Sequence, residues 1–363
     1  MLEDESGRIR LVGERLKTTR LVTGVIIGAL GMETPGGEFE VVDICSANFA
    51  PQVSADNGME EMSVDSSESD PWVGVLSGLE VGSEASSDAR IQMLIEYLTA
   101  EGGLGEDQVP ASQISRLIIA GDSFGPINIP GRGDGTPQVE DRKARRNAQD
   151  AAAFSPHPIY NLSSHLLDIG RTIPVHILPG ETDPSGAILP QQPLPRAMFG
   201  EVSKSPSFVC EPNPTYIRMA PGIVDEKTLS EKESAARTLL VHSGQPLNDI
   251  FKYLPNRHNS RLAILESTLK WRHLAPTAPD TLWCHPYVAE DPFIINNTPD
   301  IYVVGVLINL RSLEVKCVNF GVDGMTGGGG VFEDVKVKVP APTQTVMEPL
   351  SSEQQMGGSP GPM

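Results

Sequence analysis

The feature that most constrains the fold is a short apolar run that stops at a proline–glycine pair. Residues 172–178 read Thr-Ile-Pro-Val-His-Ile-Leu, and Pro179-Gly180 follows at once. The β-branched Ile173 and Val175 within such a run are typical of a buried strand, and the pair ends it in a turn. Ligands of α/β sheets usually bind at loops that leave the carboxyl ends of central strands. The loop Gly180-Glu181-Thr182-Asp183 therefore stands where such a fold usually binds its ligand.

The rest of the chain alternates between strand-like and helix-like patterns. Apolar runs predict strands over residues 72–77, 114–120 and 238–242. Apolar residues spaced three and four apart predict helices, the first of them capped by Ser87 or Asp88. The helical faces hold Ile91, Leu94, Ile95 and Leu98, then Leu162, Leu166 and Ile169 beside His165, then Leu265 and Leu269 in a helix over 262–274. This alternation predicts an α/β sheet.

Two β-rich runs near the start of the chain predict a hairpin. They cover residues 21–30 and 36–44, and Pro35-Gly36-Gly37 supplies the turn between them. The only aromatic residues among residues 1–50 are Phe39 and Phe49. We therefore expect this part of the chain to be structural, without a nucleic-acid site made of stacked aromatic side chains.

The charge balance limits the kinds of partner that the chain can bind. Its formal net charge is -19 at pH 7. Proteins that bind nucleic acid need a basic face, because neutralising phosphates supplies most of their affinity. The negative net charge of the chain therefore favours a protein-binding scaffold over a DNA clamp. One local exception is the run Arg142-Lys143-Ala144-Arg145-Arg146, which suits DNA contact or nuclear import, with a solvated junction before a helix as an equal alternative.

Cysteine spacing and hydropathy exclude further classes. Cys45, Cys210, Cys284 and Cys317 are isolated, which argues against a zinc ribbon or iron–sulfur site built by this chain alone and for a reducing compartment. The segment Met1–Glu5 is acidic and lacks the apolar core of a signal peptide. No run approaches the ~20 apolar residues of a membrane helix. We expect a soluble intracellular protein without membrane contact.

Three longer strings carry a family resemblance. They are Asp183–Leu194, Val241–Gln245 followed by Asp249–Phe251, and Ala275–Leu282. Together with the Gly180 loop, these strings resemble the small (B) subunits of eukaryotic DNA polymerase delta, and their sequences are most like those of the fungal subunits. The resemblance covers most of residues 1–320. It implies an α/β (α+β) fold, in which a partial OB-fold β-barrel precedes a two-sheet calcineurin-like phosphoesterase sandwich with an inactive site.

The resemblance also implies domain limits. Residues 1–50 are expected to be the C-terminal part of the OB-fold, and residues 71–320 the inactivated phosphoesterase-like domain. Residues 51–70 carry acids without Lys or Arg and are predicted to be a linker. Residues 321–363 are predicted to be a disordered tail. The chain is expected to start inside the barrel, and to lack an internal family segment after residue 305.

The family's metal ligands can be compared with this chain position by position. Active phosphoesterases hold two metal ions with carboxylates and imidazoles from several strand ends, and a Gly-Asn-His loop supplies the acid. Here only Asp122, Glu181 and His242 could ligate a metal, and Thr182 replaces the histidine with a hydroxyl that does not titrate near neutral pH. We expect four vestigial positions, with no catalytic residue, no metal and no cofactor. Trp283-Cys284-His285 is expected to pack rather than to bind metal.

The resemblance implies a function in the nucleus. The chain is expected to be a non-catalytic accessory subunit of DNA polymerase delta that serves DNA replication and repair synthesis. It would bridge the cysteine-rich C-terminal domain of the catalytic subunit and the third, clamp-interacting subunit, and contact DNA at most indirectly. Two alternatives stay open: the B-subunit of another replicative polymerase, and an active metal-dependent phosphodiesterase or nuclease. The string Leu189–Leu194 favours the delta type.

Overall fold

A computed structural model describes most of the chain in separate stretches. These stretches are residues 1–52, 72–83, 85–99, 111–125, 156–219, 237–254, 261–303, 307–309, 315–318 and 332–333. Several predicted features lie outside them, namely the acidic linker beyond residue 52, the basic run 142–146, the junction 304–306 and the tail apart from residues 332–333.

Strands and helices alternate along the described residues. The strands are β1 (Leu2–Glu3), β2 (Arg8–Val12), β3 (Gly28–Glu33), β4 (Glu38–Cys45), β5 (Trp72–Leu76), β6 (Ile114–Ala120), β7 (Val175–Leu178), β8 (Phe208–Cys210), β9 (Thr215–Met219), β10 (Arg237–Val241), β11 (Ile301–Val303), β12 (Leu307–Asn309), β13 (Val315–Val318) and β14 (Phe332–Glu333). The helices are α1 (Arg15–Thr18), α2 (Ala85–Leu98), α3 (His157–Gly170), α4 (Gln245–Ile250) and α5 (Arg261–Trp271), with a 3₁₀ segment over Arg196–Lys204. Within the described stretches, none of the helices has both the length and the apolar character that crossing a lipid bilayer requires.

The strands form three sheets. The largest has the order β14-β13-β12-β5-β6-β7-β8, in which β5 to β8 are parallel and β12 to β14 pair antiparallel at the other side. The second has the order β11-β10-β9, with β10 parallel to β11 and antiparallel to β9. The N-terminal sheet has the order β1-β2-β4-β3, and its β3–β4 pair is the hairpin that the sequence predicts.

The strands β5, β6 and β7 of the large sheet are buried on both faces over most of their length, which explains their largely apolar sequences. Side chains alternate between the faces of a strand, so Leu117 and Ile119 pack with α2 and α3 while Ile118 packs against the second sheet. Leu178 joins the second cluster from β7. Strands covered on both sides are expected to be apolar throughout. The mixed α/β fold class, a small β-rich unit followed by a two-sheet sandwich, is confirmed.

The N-terminal unit packs on the sandwich through a segment that the sequence assigns wrongly to a strand. Residues 21–27 precede β3 as irregular chain, and Val22 is buried against Leu247 and Trp271. Gly24 has a φ of +76°, and a Cβ at this position would lie 1.8 Å from the carbonyl oxygen of Pro276. Residues 21–27 therefore owe their β-like composition to packing against residues about 250 positions away in the sequence, and the strand starts only at Gly28.

Two helix ends also differ from the sequence prediction. Helix α2 starts at Ala85, so Ser87 and Asp88 lie in its first turn rather than at its cap. Helix α5 ends at Trp271, three residues before the predicted end, because Arg272 adopts a left-handed φ of 56°. The Arg272 N–H then donates to the Leu269 carbonyl and the His273 N–H to the Thr268 carbonyl, a Schellman termination.

The buried face of α5 is offset from its predicted apolar face. Ile264, Ser267, Thr268 and Trp271 are buried, whereas Leu265 and Leu269, one turn apart on the same side of that face, are half-buried. The predicted faces of α2 and α3 are confirmed, with Leu162, Leu166 and Ile169 buried and His165 half-buried beside them.

Candidate functional site

The loops at the carboxyl ends of β5, β6 and β7 converge, as expected for neighbouring parallel strands. The loop after β5 runs along the loop after β6, since Gly78 donates its N–H to the Gly121 carbonyl at 3.2 Å and Glu80 to the Asp122 carbonyl at 3.1 Å. The loop after β7 meets them through the hydrogen bonds described below. We call these three loops the candidate site.

Asp122 and Thr182 contact each other at the centre of the candidate site. Asp122 has a φ of 55°, a left-handed conformation that Asp tolerates better than most residues. Its Oδ1 accepts the backbone N–H of Thr182 at 3.1 Å. The Thr182 hydroxyl donates to the Phe124 carbonyl oxygen at 2.7 Å. The carboxylate and the hydroxyl therefore tie the β6 loop to the β7 loop.

Asp183 is the most buried carboxyl group of the candidate site. Its Oδ1 accepts the N–H of Phe124 at 2.9 Å, and its Oδ2 accepts the N–H of Gly180 at 2.8 Å. The pKa of Asp183 is raised, first because burial penalises its charged form and further because the Asp122 carboxylate is nearby, while the backbone hydrogen bonds lower it. Both oxygens face backbone donors, so this side chain closes the loop rather than presenting a free ligand.

Gly180 allows the β6 and β7 loops to approach each other this closely. A Cβ at this position would lie 2.3 Å from the backbone nitrogen of Asp122 and 2.4 Å from its Oδ1. Any larger residue would push apart the two loops that the Asp122 and Asp183 carboxylates hold together. The glycine that the sequence analysis placed at the turn is thus required by packing.

A buried chain of side-chain amides supports the loops from below. The Gln191 side-chain nitrogen donates to the carbonyls of Gly180 and Gly186, both at 2.9 Å. Its oxygen accepts from the Asn213 side chain at 2.7 Å, and the same Asn213 nitrogen lies 2.7 Å from the Ser243 hydroxyl. Gln191 and Asn213 are almost fully buried. Satisfied buried networks of this kind fix one arrangement of the backbone.

His242 faces away from this network, into the packing of β10, β11 and α5. Its Nδ1 accepts the N–H of Gly244 at 2.9 Å, which leaves Nε2 to carry the proton toward the Tyr302 hydroxyl at 3.0 Å. Complete burial lowers the pKa of His242 to about 4, so the ring is neutral at pH 7. Burial likewise raises the pKa of Tyr302. His242 is therefore a neutral, hydrogen-bonded core residue.

Glu181 is exposed, in contrast to its neighbours in the loop. The pKa of Lys252 is raised mainly by Asp249, whose Oδ1 lies 2.5 Å from the ammonium, and to a smaller extent by Glu181. Lys252, just beyond the end of α4 and outside the three loops, is thus close enough to Glu181 to feel its charge.

Of the four predicted site positions, the structure joins two. Asp122 and Thr182 are in contact, Glu181 is on the surface, and His242 binds Tyr302. Across the stretches that the structure describes, no three His, Cys, Asp or Glu residues are grouped so that they could hold a metal ion.

Sequence reasoning did not single out Asp183, Gln191 or Asn213, which carry most of the hydrogen bonds of the candidate site. A signal was present for the first two, because both lie in the family-like string Asp183–Leu194. Asn213 stands alone in the sequence and is connected only by the fold.

Comparison with known families matches the sandwich and its loops as one unit. The family of DNA polymerase alpha/epsilon B-subunits matches residues 73–312. This chain belongs to that B-subunit family. The model of the DNA polymerase delta subunit OB-fold domain matches residues 1–44. The candidate site therefore falls within the B-subunit match, and the N-terminal sheet, apart from Cys45, falls within the OB-fold match.

Curated relatives place this B-subunit chain near the delta type. It is 36% identical to the DNA polymerase delta small subunit of Arabidopsis thaliana over 84% of the chain and 61% of the relative. It is 31% identical to the corresponding subunit of Saccharomyces cerevisiae over 84% of the chain and 60% of the relative. The DNA polymerase II small subunit of Thermoplasma acidophilum is 23% identical over 64% of the chain. The chain spans about six tenths of the length of the delta relatives.

Proposed function

We propose that this B-subunit chain is a non-catalytic accessory subunit of a delta-type DNA polymerase and acts in DNA replication and repair synthesis. The DNA polymerase delta small subunits of Arabidopsis thaliana and Saccharomyces cerevisiae are more similar to it than the archaeal polymerase II small subunit of Thermoplasma acidophilum. The mechanism is scaffolding, in which a rigid surface holds other subunits in register. The net charge of -19 supports protein partners over direct DNA contact.

The observation that carries the non-catalytic part is the use of the candidate-site carboxylates. Asp122 and Asp183 accept backbone N–H groups of the facing loops, and Thr182 stands where active phosphoesterases have a histidine. A bridged pair of metal ions needs carboxylates and imidazoles that converge on open space. These side chains instead stabilise the loops, and His242 is neutral and bound to Tyr302.

The partners follow from the same proposal. The chain binds the cysteine-rich C-terminal domain of the polymerase catalytic subunit and the third, clamp-interacting subunit, and bridges the two in the nucleus. Any metal cluster and the polymerase active site belong to the catalytic subunit. DNA is contacted at most indirectly.

Affinity purification of the tagged chain from its native nucleus, followed by quantitative mass spectrometry, tests the scaffold proposal. We expect the delta catalytic subunit and the clamp-interacting subunit at near-equal amounts. Recovery of a different replicative polymerase would reassign the chain to that enzyme. Absence of every polymerase subunit from a sample that shows cooperative unfolding would refute the proposal.

A manganese-dependent assay on bis-p-nitrophenyl phosphate and on single-stranded DNA tests the competing phosphodiesterase function. We expect no turnover above the level of an Asp122→Ala variant. Metal-dependent turnover by the purified chain that Asp122→Ala abolishes would show an active site and would refute the non-catalytic assignment.

A further inference from the structure

An aromatic side chain lies unusually exposed on the sandwich. The chain has three tryptophans, and Trp72 and Trp271 are 7% and 8% exposed whereas Trp283 is 70% exposed. Tyr287 and Val288, a few residues later, are also exposed. Large apolar side chains grouped on a surface mark interaction sites more often than scattered single ones do.

Backbone hydrogen bonds place Trp283 beside a second exposed apolar residue, Ile188. Leu189 and Cys284 form a parallel bridge, in which the Leu189 N–H donates to the Trp283 carbonyl and the His285 N–H to the Leu189 carbonyl, both at 2.9 Å. Leu189 is buried, so the preceding residues of the two segments, Ile188 and Trp283, lie side by side on the outer face.

The same surface continues toward the end of α5. The pKa of Tyr287 is raised by partial burial and then by neighbouring Cys284 and Asp291. Asp291 lies 3.0 Å from the His273 ring, and His273 forms a bridge with Ile294, which is exposed. We call the exposed set Ile188, Trp283, Tyr287, Val288 and Ile294 the aromatic surface.

The charged side chains within the two segments that supply the aromatic surface have one sign. Residues 172–195 and 273–310, which supply all of it, contain no Lys or Arg. Within the second segment Asp280, Glu290 and Asp291 are exposed carboxylates. Opposite charges across an interface select the partner and its register. An apolar surface with an acidic border therefore suits a basic partner and repels an acidic one.

We propose that the aromatic surface docks a segment of another protein in which apolar side chains are flanked by lysines or arginines. Trp283 and Tyr287 supply the rigid aromatic contact area that dominates the binding energy of many interfaces. Basic side chains of the segment pair with Glu290 and Asp291, and a guanidinium can stack on the indole of Trp283. The proposal goes beyond the scaffold function, because it fixes the place and the chemistry of one contact whichever protein supplies it.

Site-specific photo-crosslinking in the full chain tests this proposal. Trp283 is replaced by p-benzoylphenylalanine, and the tagged chain is irradiated in its native cells and analysed by mass spectrometry. The matched control carries the same probe at Tyr160, an aromatic residue of α3 that is 69% exposed. We expect position 283, and not position 160, to capture one segment with apolar residues between Lys or Arg residues.

Several outcomes would overturn the docking proposal. They are no crosslink at position 283, the same captured proteins at both positions, an acidic or uncharged segment, a second copy of this chain, or the chain's own lysine-bearing residues 335–339. If polymerase subunits co-purify with the chain but position 283 captures none of the expected kind, the docking proposal fails and the scaffold function stands. A basic segment captured from an unrelated protein would support docking, and it would count against the scaffold function only if no polymerase subunit co-purified with the chain.

Binding of the captured segment as a synthetic peptide gives a second readout. We expect Trp283→Ser to weaken binding at least tenfold, and Glu290→Lys to weaken it and to flatten its dependence on salt. Tyr160→Ser, the control, should change affinity less than twofold. Equal affinities of the wild-type chain and Trp283→Ser would overturn the proposal even if a crosslink had formed.

Discussion

The candidate site and the aromatic surface use their side chains in opposite ways. In the candidate site, the oxygens of Asp122 and Asp183 accept hydrogen bonds from backbone donors of the facing loops. On the aromatic surface, Trp283 and Tyr287 leave much of their apolar area in water. Residues 188–191 connect the two regions, because Ile188 belongs to the surface and Gln191 supports the loops.

This difference separates stability from recognition within one sandwich. Carboxylates that accept buried hydrogen bonds stabilise the fold and are costly to change. Exposed aromatic groups contribute little to folding and much to association. Variants in the candidate site should therefore change the free energy of unfolding, and variants on the aromatic surface should change binding.

The largest effect is expected for Gly180→Ala. The new Cβ would meet the backbone nitrogen of Asp122 at 2.3 Å, so the loops must separate and lose their hydrogen bonds. We expect a loss of about 3 kcal/mol or more in the free energy of unfolding, measured by urea denaturation. Gly186→Ala in the same loop is the control, since a Cβ there meets nothing within 4 Å. Equal stability of both variants would show that the loops are not tightly joined.

The next effect is the acid sensitivity that His242 confers. Its native pKa of about 4 is below the ordinary value of 6.5, so the unfolded chain binds the extra proton between these values. The contribution of His242 is fully present above pH 6.5 and is lost as the pH falls through 4, by up to about 3 kcal/mol. The difference in free energy of unfolding between the wild-type chain and His242→Gln, from denaturation curves between pH 7 and 4, measures this contribution. An imidazole that titrates near 6.5 by NMR would contradict the buried, neutral assignment.

Asp183→Asn should have a smaller effect with the opposite pH dependence. The side-chain amide of Asn would place its NH₂ donor against one of the two backbone N–H donors, which should lower the free energy of unfolding by about 2 kcal/mol. The native pKa of Asp183 is raised, so its contribution is fully present below the ordinary carboxyl value and declines as the pH rises through the native pKa. The stability difference between wild type and variant, measured by urea denaturation, should therefore shrink from pH 4 to pH 7. A difference that grows with pH would mean that the hydrogen bonds outweigh burial.

Local sequence patterns predicted the strands and helices of the α/β sheet better than the candidate site. The strand over 114–120 matches β6 because burial on both faces leaves the apolar run Leu117–Ala120, and the face of α2 follows from its periodicity. The β7 loop was found because Pro179-Gly180 ends a strand there. These features depend on residues that are close in sequence.

The features that sequence reasoning missed depend on distant residues. Asn213 binds Gln191 and Ser243, which are 22 and 30 positions away, and no local pattern connects them. Residues 21–27 look like a strand but pack against α4 and α5 because Gly24 fits beside Pro276. Helix α5 ends at Trp271 because Arg272 adopts a left-handed conformation, without the glycine that usually signals such an end.

The smallest effect on stability, and the sharpest test of the comparison, is expected for Trp283→Ser. The side chain is mostly in water and its backbone carbonyl, which pairs with Leu189, is retained. We expect the free energy of unfolding to change by less than about 0.5 kcal/mol, by urea denaturation. Trp271→Ala, in the buried cluster with Val22 and Leu247, is the contrasting variant and should cost about 3–5 kcal/mol. If Trp283→Ser were destabilising by more than about 1 kcal/mol, the aromatic surface would be part of the core, and a loss of binding in that variant would no longer report recognition.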